Sequence, residues 1–191
     1  DVLCDGKFYC HMDLGVLGRH NTMNALAVAA TSWVMKIPGE AVSKGVEAFH
    51  GAGRRMEFKG TYHGAQVYDD YAHHPDELRA TLEAVRGMGD HRIVLAFQPH
   101  TYTRTKLLMD DFIRELKKAD VVVLAEIYAA RESNTIGISS ADLAAQIPGS
   151  IYCETLQDVT ETLRKIVKEG DIVVTMGAGD IFRAGEALLA E

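Results

Sequence analysis

The sequence predicts an α/β fold, in which a mostly parallel β-sheet is covered by helices on both faces. From about residue 59 onward, short apolar runs rich in β-branched residues alternate with stretches of helical pattern. The runs IVLAF at 93–97, VVVLA at 121–125 and IVVTM at 172–176 are apolar along almost their whole length. Such runs are typical of parallel strands that are buried on both faces. The alternation therefore predicts a Rossmann-like domain.

The individual elements follow one another in a regular order. A short first strand is predicted at 66–68, and the helix after it runs over 75–85. Pro75 fits the first turn of that helix, because the N–H that proline lacks would have no partner there. The remaining helices are predicted at 103–117, 141–146, 156–167 and 181–189, each between or after the apolar runs.

Residues 1–58 have a different pattern from the rest of the chain. A helix is predicted at 24–35, with Asn21 or Thr22 as its N-terminal cap, and a second helix at about 41–49. The first of these helices is apolar nearly all round, which predicts that it is buried. Because this segment has too few elements for a core of its own, we expect it to be the end of a larger domain.

The composition excludes several classes of partner. The net charge of −7 argues against nucleic acid or an anionic membrane as a partner, because both need clustered Lys and Arg. No apolar run approaches the roughly 18 residues of a membrane span. The three cysteines have no CxxC spacing, so we expect neither a disulfide framework nor a zinc site, and a reducing cytoplasm as the location.

Polar residues concentrate where the predicted strands end. Each of the four strands is followed by a polar loop, namely DDYAHH at 69–74, QPHTYTR at 98–104, EIYAARE at 126–132 and GAGD at 177–180. The carboxyl ends of parallel strands meet at one edge of a sheet, where ligands of such folds bind. The four loops are therefore predicted to form a common site.

Each of these loops also has a purely structural interpretation. Asp70 is either a turn residue or a site residue, and His74 is a candidate helix cap. Adjacent histidines rarely converge on one ion, so no metal is predicted there. Arg104 lies in an early helical turn, where a cation opposes the helix dipole, and this favours a bound anion. The glycines of 177–180 either cradle a phosphate or allow close packing of the turn.

The segment FHGAGRRME at 49–57 joins the two parts of the chain. Arg54 and Arg55 either bind a phosphate, since a guanidinium offers paired donors to phosphate oxygens, or belong to a solvated basic turn. The glycines of 50–53 predict a flexible hinge.

Six stretches, taken together, resemble the Mur ligase family of peptidoglycan synthesis. They are GRHNTMNALAVAA, FHGAGRRMEFKG, VYDDYAHHPDEL, FQPHTYTRT, EIYAARES and TMGAGDI, in the order of the family and over nearly the whole chain. The resemblance implies that residues 1–58 are the C-terminal end of a central ATP-binding domain and residues 59–191 a C-terminal ligase domain.

The resemblance also implies a reaction. ATP phosphorylates the carboxylate of UDP-N-acetylmuramate to an acyl phosphate, and the amine of L-alanine attacks it to give an amide, ADP and phosphate. ATP with Mg is the implied cofactor, with the metal ligands expected in a domain that this chain lacks. The chain has no GxxxxGK[ST] loop, so we expect it to be inactive alone. The alternatives are a related Mur ligase that adds a peptide or another amino acid, or a non-catalytic nucleotide-binding α/β module.

Site residues follow from the resemblance position by position. The nucleotide-binding residues it implies are His20, Asn21, Asn24, Arg55 and Asp70, the last as an acceptor for the ribose hydroxyls. The substrate-binding residues it implies are Tyr71, His73, His100 and Arg104, of which His73 and Arg104 are also the expected catalytic residues. Thr101 stands where some relatives carry an arginine, so one cation of the pocket is expected to be missing.

Overall fold

The computed structural model describes residues 1–190, which form two compact units divided after Gly53. The first unit contains two strands and two helices, namely β1 (Val2–Cys4), β2 (Lys7–Cys10), α1 (Arg19–Val34) and α2 (Gly39–Glu47). The division falls at the end of the Gly-rich 50–53 stretch, five residues before the predicted boundary. The assignment of residues 1–58 to an ATP-binding domain stays a prediction.

Helix α1 differs from its prediction in two respects. It begins at Arg19 with Gly18 in the cap position, so the predicted cap at Asn21 or Thr22 is wrong. It is also not buried all round, because β1, β2 and α2 cover only one of its faces. Its buried residues are Ala25, Ala29 and Ser32, whereas Met23, Leu26, Val28, Trp33 and Val34 are exposed.

The second unit is built on a six-stranded sheet and confirms the predicted fold class. Its strands are β3 (Glu57–Tyr62), β4 (Ala65–Asp70), β5 (Ile93–Phe97), β6 (Val121–Ala125), β7 (Ile151–Cys153) and β8 (Ile172–Met176). Its helices are α3 (Pro75–Arg86), α4 (Tyr102–Leu107), α5 (Met109–Leu116), α6 (Ser140–Ala144), α7 (Leu156–Ile166) and α8 (Phe182–Leu189). The strand order is β3-β4-β8-β5-β6-β7, with only β3 antiparallel to its neighbour.

Helices cover both faces of this sheet, as the fully apolar strands predicted. Leu95 and Phe97 of β5 point into one core with Leu82 of α3, and α5 and α6 pack on the same face. Val94 and Ala96 point into the opposite core, which α7 and α8 close. Side chains alternate along a strand, so a strand that is apolar at every position needs a cover on each side.

Two strands of this sheet were not anticipated, and one predicted helix is interrupted. Strand β3 mixes polar and apolar residues because it is an edge strand, and a two-residue turn at His63 and Gly64, both with positive φ, joins it to β4. Strand β7 has only three residues. The helix predicted at 103–117 is broken at Leu108 into α4 and α5.

The last strand of the chain lies in the middle of the sheet. β8 is inserted between β4 and β5, and Met176 is in register with Asp70 on one side and Phe97 on the other. The loop that follows β8 therefore starts between the loops that follow β4 and β5. No helix among residues 1–190 has the length and apolar character needed to cross a membrane.

At the opposite edge of the sheet, Arg92 and Asp171 form an ion pair. Arg92 donates from Nε and Nη2 to the two oxygens of Asp171 at 2.9 and 2.6 Å, and from Nη2 to the carbonyl of Ile166. Burial by itself raises the pKa of Asp171, but the hydrogen bonds from Arg92 and from the backbone N–H of Lys168 outweigh it and lower the pKa. The pair joins the starts of β5 and β8.

We predict that Asp171→Asn lowers the free energy of unfolding of this unit by about 2–3 kcal/mol at pH 7, because it leaves the Arg92 guanidinium without its charged partner. A depressed native pKa contributes stability that is complete above the unfolded-state value of about 3.9 and is lost as the pH falls toward the native pKa. The difference in the free energy of unfolding between the wild type and Asp171→Asn should therefore become smaller in acid. Urea unfolding followed by circular dichroism measures the free energy of unfolding at each pH. Asp90→Asn, at an exposed position, is the control. A stability difference that does not change with pH would contradict the stabilising role of the Arg92–Asp171 ion pair.

Candidate functional site

The loops that follow β4, β5, β6 and β8 are hydrogen-bonded to one another at the carboxyl edge of the sheet. The backbone N–H of Gly177 donates to the carbonyl of Asp70, and that of Gln98 donates to Met176. Between the β5 and β6 loops, Tyr128 donates to Pro99 and receives a bond from Thr101. The common edge that the sequence predicted is thus present, and its backbone is held in place.

Four aromatic side chains from three of these loops form a continuous row, called here the ring row. Tyr71 meets His73 edge-on at 5.5 Å between ring centres, and His73 lies 5.8 Å from His100. His100 in turn stacks on Tyr128 at 5.6 Å with an angle of 18° between the ring planes. The structure therefore brings three of the predicted substrate-binding residues together and adds Tyr128, which the sequence interpretation did not single out.

The position of His73 is set by its own loop and by the start of α3. Its Nδ1 lies 2.9 Å from the carbonyl oxygen of Tyr71, which can only accept, so neutral His73 donates from Nδ1 and carries its lone pair on Nε2. Glu77 accepts from the backbone N–H of both His73 and His74, and the side chain of His74 caps the helix. The prediction that His74 and Pro75 start the helix is confirmed.

His100 and Arg104 each carry a buried polar atom that lacks a partner among the described residues. These atoms are Nδ1 of His100 and Nη1 of Arg104. Burial lowers the pKa of His100, and the positive charges of Arg104 and His73 lower it further, while Glu132 opposes this. Buried polar atoms without a partner cost free energy, and these two lie in neighbouring positions of the β5 loop and the start of α4.

The start of α4, which carries His100 and Arg104 into the site, has a strained backbone. Thr101 has a φ of 71°, in the left-handed region that β-branched residues rarely adopt. Such a conformation costs about 1–3 kcal/mol and persists where the surroundings impose it. Thr101 is held from both sides, by its bond to Tyr128 and by bonds to its carbonyl from Thr105. Glu132 also accepts from the backbone N–H and hydroxyl of Thr103.

Asp70 is more enclosed than a nucleotide contact would suggest. The residue is only 4% exposed, and its two carboxylate oxygens accept from the backbone N–H of Ala72 at 2.7 Å and of Met56 at 2.9 Å. Burial raises the pKa of Asp70, and these hydrogen bonds offset only part of that effect. The geometry is that of a turn residue, and the ribose contact stays a prediction.

The two neighbouring arginines have different environments. The side chain of Arg55 is 52% exposed, and its nearest charged partner is Glu77 at 3.7 Å. The side chain of Arg54 is 25% exposed and pairs with Asp69 at 2.8 Å. Arg55 is therefore the more accessible of the two, whereas Arg54 is held within the fold, and the contact of Arg55 with a nucleotide stays a prediction.

The glycines of the 177–180 loop are explained by packing. A Cβ on Gly177 would lie 2.7 Å from the carbonyl oxygen of Gln98, and one on Gly179 would lie 2.3 Å from the side-chain oxygen of Gln98. Gln98 accepts from the N–H of Asp180 and Ile181 and donates to the carboxylate of Asp180. Of the two interpretations that the sequence allowed, the structure supports close packing over a phosphate cradle.

The remaining predicted nucleotide-binding residues lie at the start of α1, in the first unit. Asn21 donates to the carbonyl of Leu17 and accepts from the side chain of Asn24, and His20 is exposed beside them. The other polar atoms of these three side chains make no side-chain hydrogen bond within the described residues. Their contact with a nucleotide stays a prediction.

Residues 1–190 contain no group of three or more His, Cys, Asp and Glu side chains placed to hold a metal ion. The ring row and Arg104 contribute imidazole, phenol and guanidinium groups, whereas the carboxylates of the four loops are engaged in hydrogen bonds within the protein, namely Asp69, Asp70, Glu126, Glu132 and Asp180. Mg²⁺ prefers carboxylate and other oxygen ligands in near-octahedral geometry. The residues present do not fit Mg²⁺, and we assign no ligand for it to this chain.

Comparisons with known proteins agree on one family. The family model described as Mur ligase, glutamate ligase domain, matches residues 54–179. The UDP-N-acetylmuramate–L-alanine ligase of Lachnospira eligens is 46% identical over 192 residues, covering 98% of this chain and 42% of that protein. The ligase of the same name from Caldanaerobacter subterraneus is 42% identical over 195 residues, covering 100% of this chain and 42% of that protein.

A solved structure has the same fold over nearly the whole chain. The crystal structure of UDP-N-acetylmuramate-alanine ligase from Thermotoga maritima matches with a TM-score of 0.80 at 28% identity, covering 97% of this chain and 40% of that one. The chain therefore spans about two fifths of the length of the curated relatives it matches.

We predict that Arg104→Gln raises the pKa of His100 toward its ordinary value, because the substitution removes a neighbouring positive charge. The pKa should stay below the ordinary value, since burial remains as the larger cause. An NMR titration of the His100 ring measures it. Arg79→Gln, which removes an exposed arginine paired with Asp76 on α3, is the matched control and should leave the titration unchanged. An equal response in both variants would show that Arg104 does not act on His100.

Proposed function

The chain belongs to the Mur ligase family, as its six motifs predicted, and from that premise we propose that it is the C-terminal part of a ligase joining L-alanine to UDP-N-acetylmuramate. In this proposal residues 59–191 form the ligase domain and residues 1–58 end the ATP-binding domain. The reaction would consume ATP in the cytoplasm and contribute to the cell wall, and thereby to cell shape and division. The relatives that carry this name and match 98–100% of the chain support the choice of substrates.

The observation that carries the proposal is the pair of unpartnered atoms on His100 and Arg104. A guanidinium offers parallel donors that match a carboxylate. The carboxylate of a bound amino acid would satisfy Arg104 Nη1, and it would also accept from His100 when the neutral ring carries its proton on Nδ1. Thr101 supplies no charge beside them, so Arg104 carries the electrostatic part of this contact.

The ring row supports a role for His73 in the chemistry. An amine attacks an acyl phosphate only as the free base, so the incoming ammonium group must lose a proton. His73 holds its lone pair on Nε2 because Nδ1 is bound to the Tyr71 carbonyl, and a neutral imidazole with a free ring nitrogen can accept a proton. We therefore propose His73 as the group that orients and deprotonates the amine, with Tyr71 and His100 on either side.

ATP enters the proposal through the remaining predicted residues. Arg55 is open to a phosphate, and an amide such as Asn21 or Asn24 can both donate to and accept from adenine. Mg²⁺ supplies charge neutralisation to phosphoryl transfer in general. Its ligands in the intact enzyme are proposed to lie outside this chain.

The first unit also supports the assignment of residues 1–58. Its hydrophobic core cluster is small, with four buried residues, namely Val2, Cys10, Ala29 and Val42. Many of its large apolar side chains are exposed, namely Leu3, Phe8, Leu17, Met23, Leu26, Val28, Trp33, Val34, Met35, Ile37 and Phe49. Monomeric proteins rarely expose apolar surface of this extent, which is what the end of a larger domain would present.

A hybrid enzyme tests the proposed function. We predict that a hybrid in which this chain replaces the matching part of the Lachnospira eligens ligase releases ADP and forms an amide when given UDP-N-acetylmuramate, L-alanine and ATP. The 191-residue chain alone should release no ADP, because it has no phosphate-binding loop. Glycine, L-serine and a peptide tested in place of L-alanine distinguish the other family activities. A folded hybrid that uses none of these substrates would refute the proposal.

We predict that Arg104→Ala in the hybrid lowers kcat/KM for L-alanine by on the order of 10²-fold, because it removes a charged hydrogen bond to the substrate. The KM for ATP should change by no more than about twofold. Steady-state kinetics with each substrate varied in turn measure both effects. Arg79→Ala is the control for loss of an arginine. Equal loss toward ATP and L-alanine would show that Arg104 does not bind the amino acid.

A further inference from the structure

The guanidinium of Arg54 makes three hydrogen bonds at the carboxyl edge of the sheet, although Arg54 is not among the site residues that the family resemblance implies. Its Nε donates to Asp69 at 2.8 Å, its Nη1 to the carbonyl of Gly179 at 3.2 Å and its Nη2 to the carbonyl of Gly177 at 2.7 Å. One guanidinium thereby joins the end of β4 to the loop that follows β8.

The same guanidinium also lies against two aromatic rings. Its carbon is 4.9 Å from the ring centre of Tyr71 and 4.6 Å from that of Phe182, both within the range of a cation–π contact. The carbonyl oxygen of Arg54 accepts from the backbone N–H of Tyr71 at 2.7 Å. Tyr71, the first member of the ring row, is therefore held by both the side chain and the main chain of Arg54.

The partner of Arg54 is itself fixed. Asp69 is almost fully buried, and its other oxygen accepts from the hydroxyl of Thr175 on β8 at 2.8 Å. The guanidinium thus has a buried counter-charge and two carbonyl acceptors, which occupy each of its three nitrogens. These nitrogens are engaged within the fold, in contrast to those of the exposed Arg55.

We propose that Arg54 is a positioning residue, which sets the orientation of Tyr71 and, through the Tyr71 carbonyl, that of His73. The guanidinium anchors residue 54 to Asp69 and to the β8 loop, and two hydrogen bonds lead on from this anchor, one from the Tyr71 N–H to the Arg54 carbonyl and one from His73 Nδ1 to the Tyr71 carbonyl. The cation–π contact adds control of the Tyr71 ring. The geometric part of the proposal is independent of the proposed function, whereas its consequence for amide formation rests on that function.

Lysine cannot take the place of arginine here. Its ammonium is a compact charge, whereas this position requires a planar group that donates in three directions and lies flat against rings. Arg54→Lys therefore keeps the charge opposite Asp69 but loses the link to the Gly177 and Gly179 carbonyls. Arg183→Gln is a matched control, because Arg183 is exposed and also lies over the Phe182 ring, at 5.9 Å.

The first experiment uses the 191-residue chain and NMR. In Arg54→Lys we expect the ring signals of Tyr71 and His73 to shift and amide exchange at Tyr71 and Gly177 to accelerate at least about tenfold, as local opening becomes easier. Circular dichroism should show a retained fold, and Arg183→Gln should match the wild type. Unchanged ring signals and exchange in Arg54→Lys would overturn the proposal.

A second variant decides the question if Arg54→Lys fails to fold. Arg54→Gln places no charge at this position and removes the paired guanidinium donors to the Gly177 and Gly179 carbonyls, together with the cation–π contact to Tyr71. We expect the ring signals of Tyr71 and His73 to shift in this variant as well. Signals that match the wild type in a folded Arg54→Gln would refute the positioning role.

The catalytic consequence is measured in the hybrid enzyme. Arg54→Lys should lower kcat/KM for L-alanine at least about tenfold, since small misplacements of reacting groups cost that much, and should leave the KM for ATP within about twofold. Arg183→Gln should retain full activity. An active hybrid that is unaffected by Arg54→Lys would overturn the proposal, whereas an inactive wild-type hybrid would count against the proposed function and leave the NMR result to decide the role of Arg54.

Discussion

The parallel pairing of β8 between β4 and β5 is the constraint on which the rest of the site depends. In-register backbone hydrogen bonds place Asp70, Met176 and Phe97 side by side at one edge of the sheet. The three loops that leave these strands must then begin within two strand spacings of each other, about 10 Å. Residues that are about a hundred positions apart in the chain, such as Asp69 and Thr175, become direct hydrogen-bond partners as a result.

Charged and polar groups at this edge fall into two classes, according to whether the protein supplies all of their hydrogen bonds. Arg54, Asp69 and Asp70 are enclosed and have their hydrogen bonds supplied by the protein. Such groups define the shape of the loops, because moving them would leave buried charges without partners. His100 and Arg104 are enclosed as well, yet each keeps one atom unsatisfied. The satisfied groups connect the loops to one another, and the two unsatisfied atoms are the ones that the proposed function assigns to the carboxylate of the amino acid.

Local sequence signals predicted the features that depend on neighbouring residues. The capping of α3 by His74, with Pro75 and Glu77 in the first turn, is set within four residues and was recognisable. Strands β3 and β7 were not recognisable from the sequence. β3 mixes polar and apolar residues and contains a glycine, and the three residues of β7 are too few to show a repeating apolar pattern. Tyr128 and Gln98 lay in loops that the pattern had marked as polar. Nothing local distinguished them from their neighbours, since their partners come from other loops.

The sequence by itself determined the fold class, the common edge of the four loops and the family, because apolar periodicity and motif spacing are local properties of the chain. Tertiary structure alone decided the position of β8 in the sheet and the division of labour between Arg54 and Arg55. It also decided the burial of Asp70, for which the sequence allowed either a turn role or a site role. These features depend on which distant groups supply each hydrogen bond and which surfaces are covered. Adjacent arginines have the same intrinsic chemistry, and only their packing environment makes one a structural anchor and leaves the other open to a ligand.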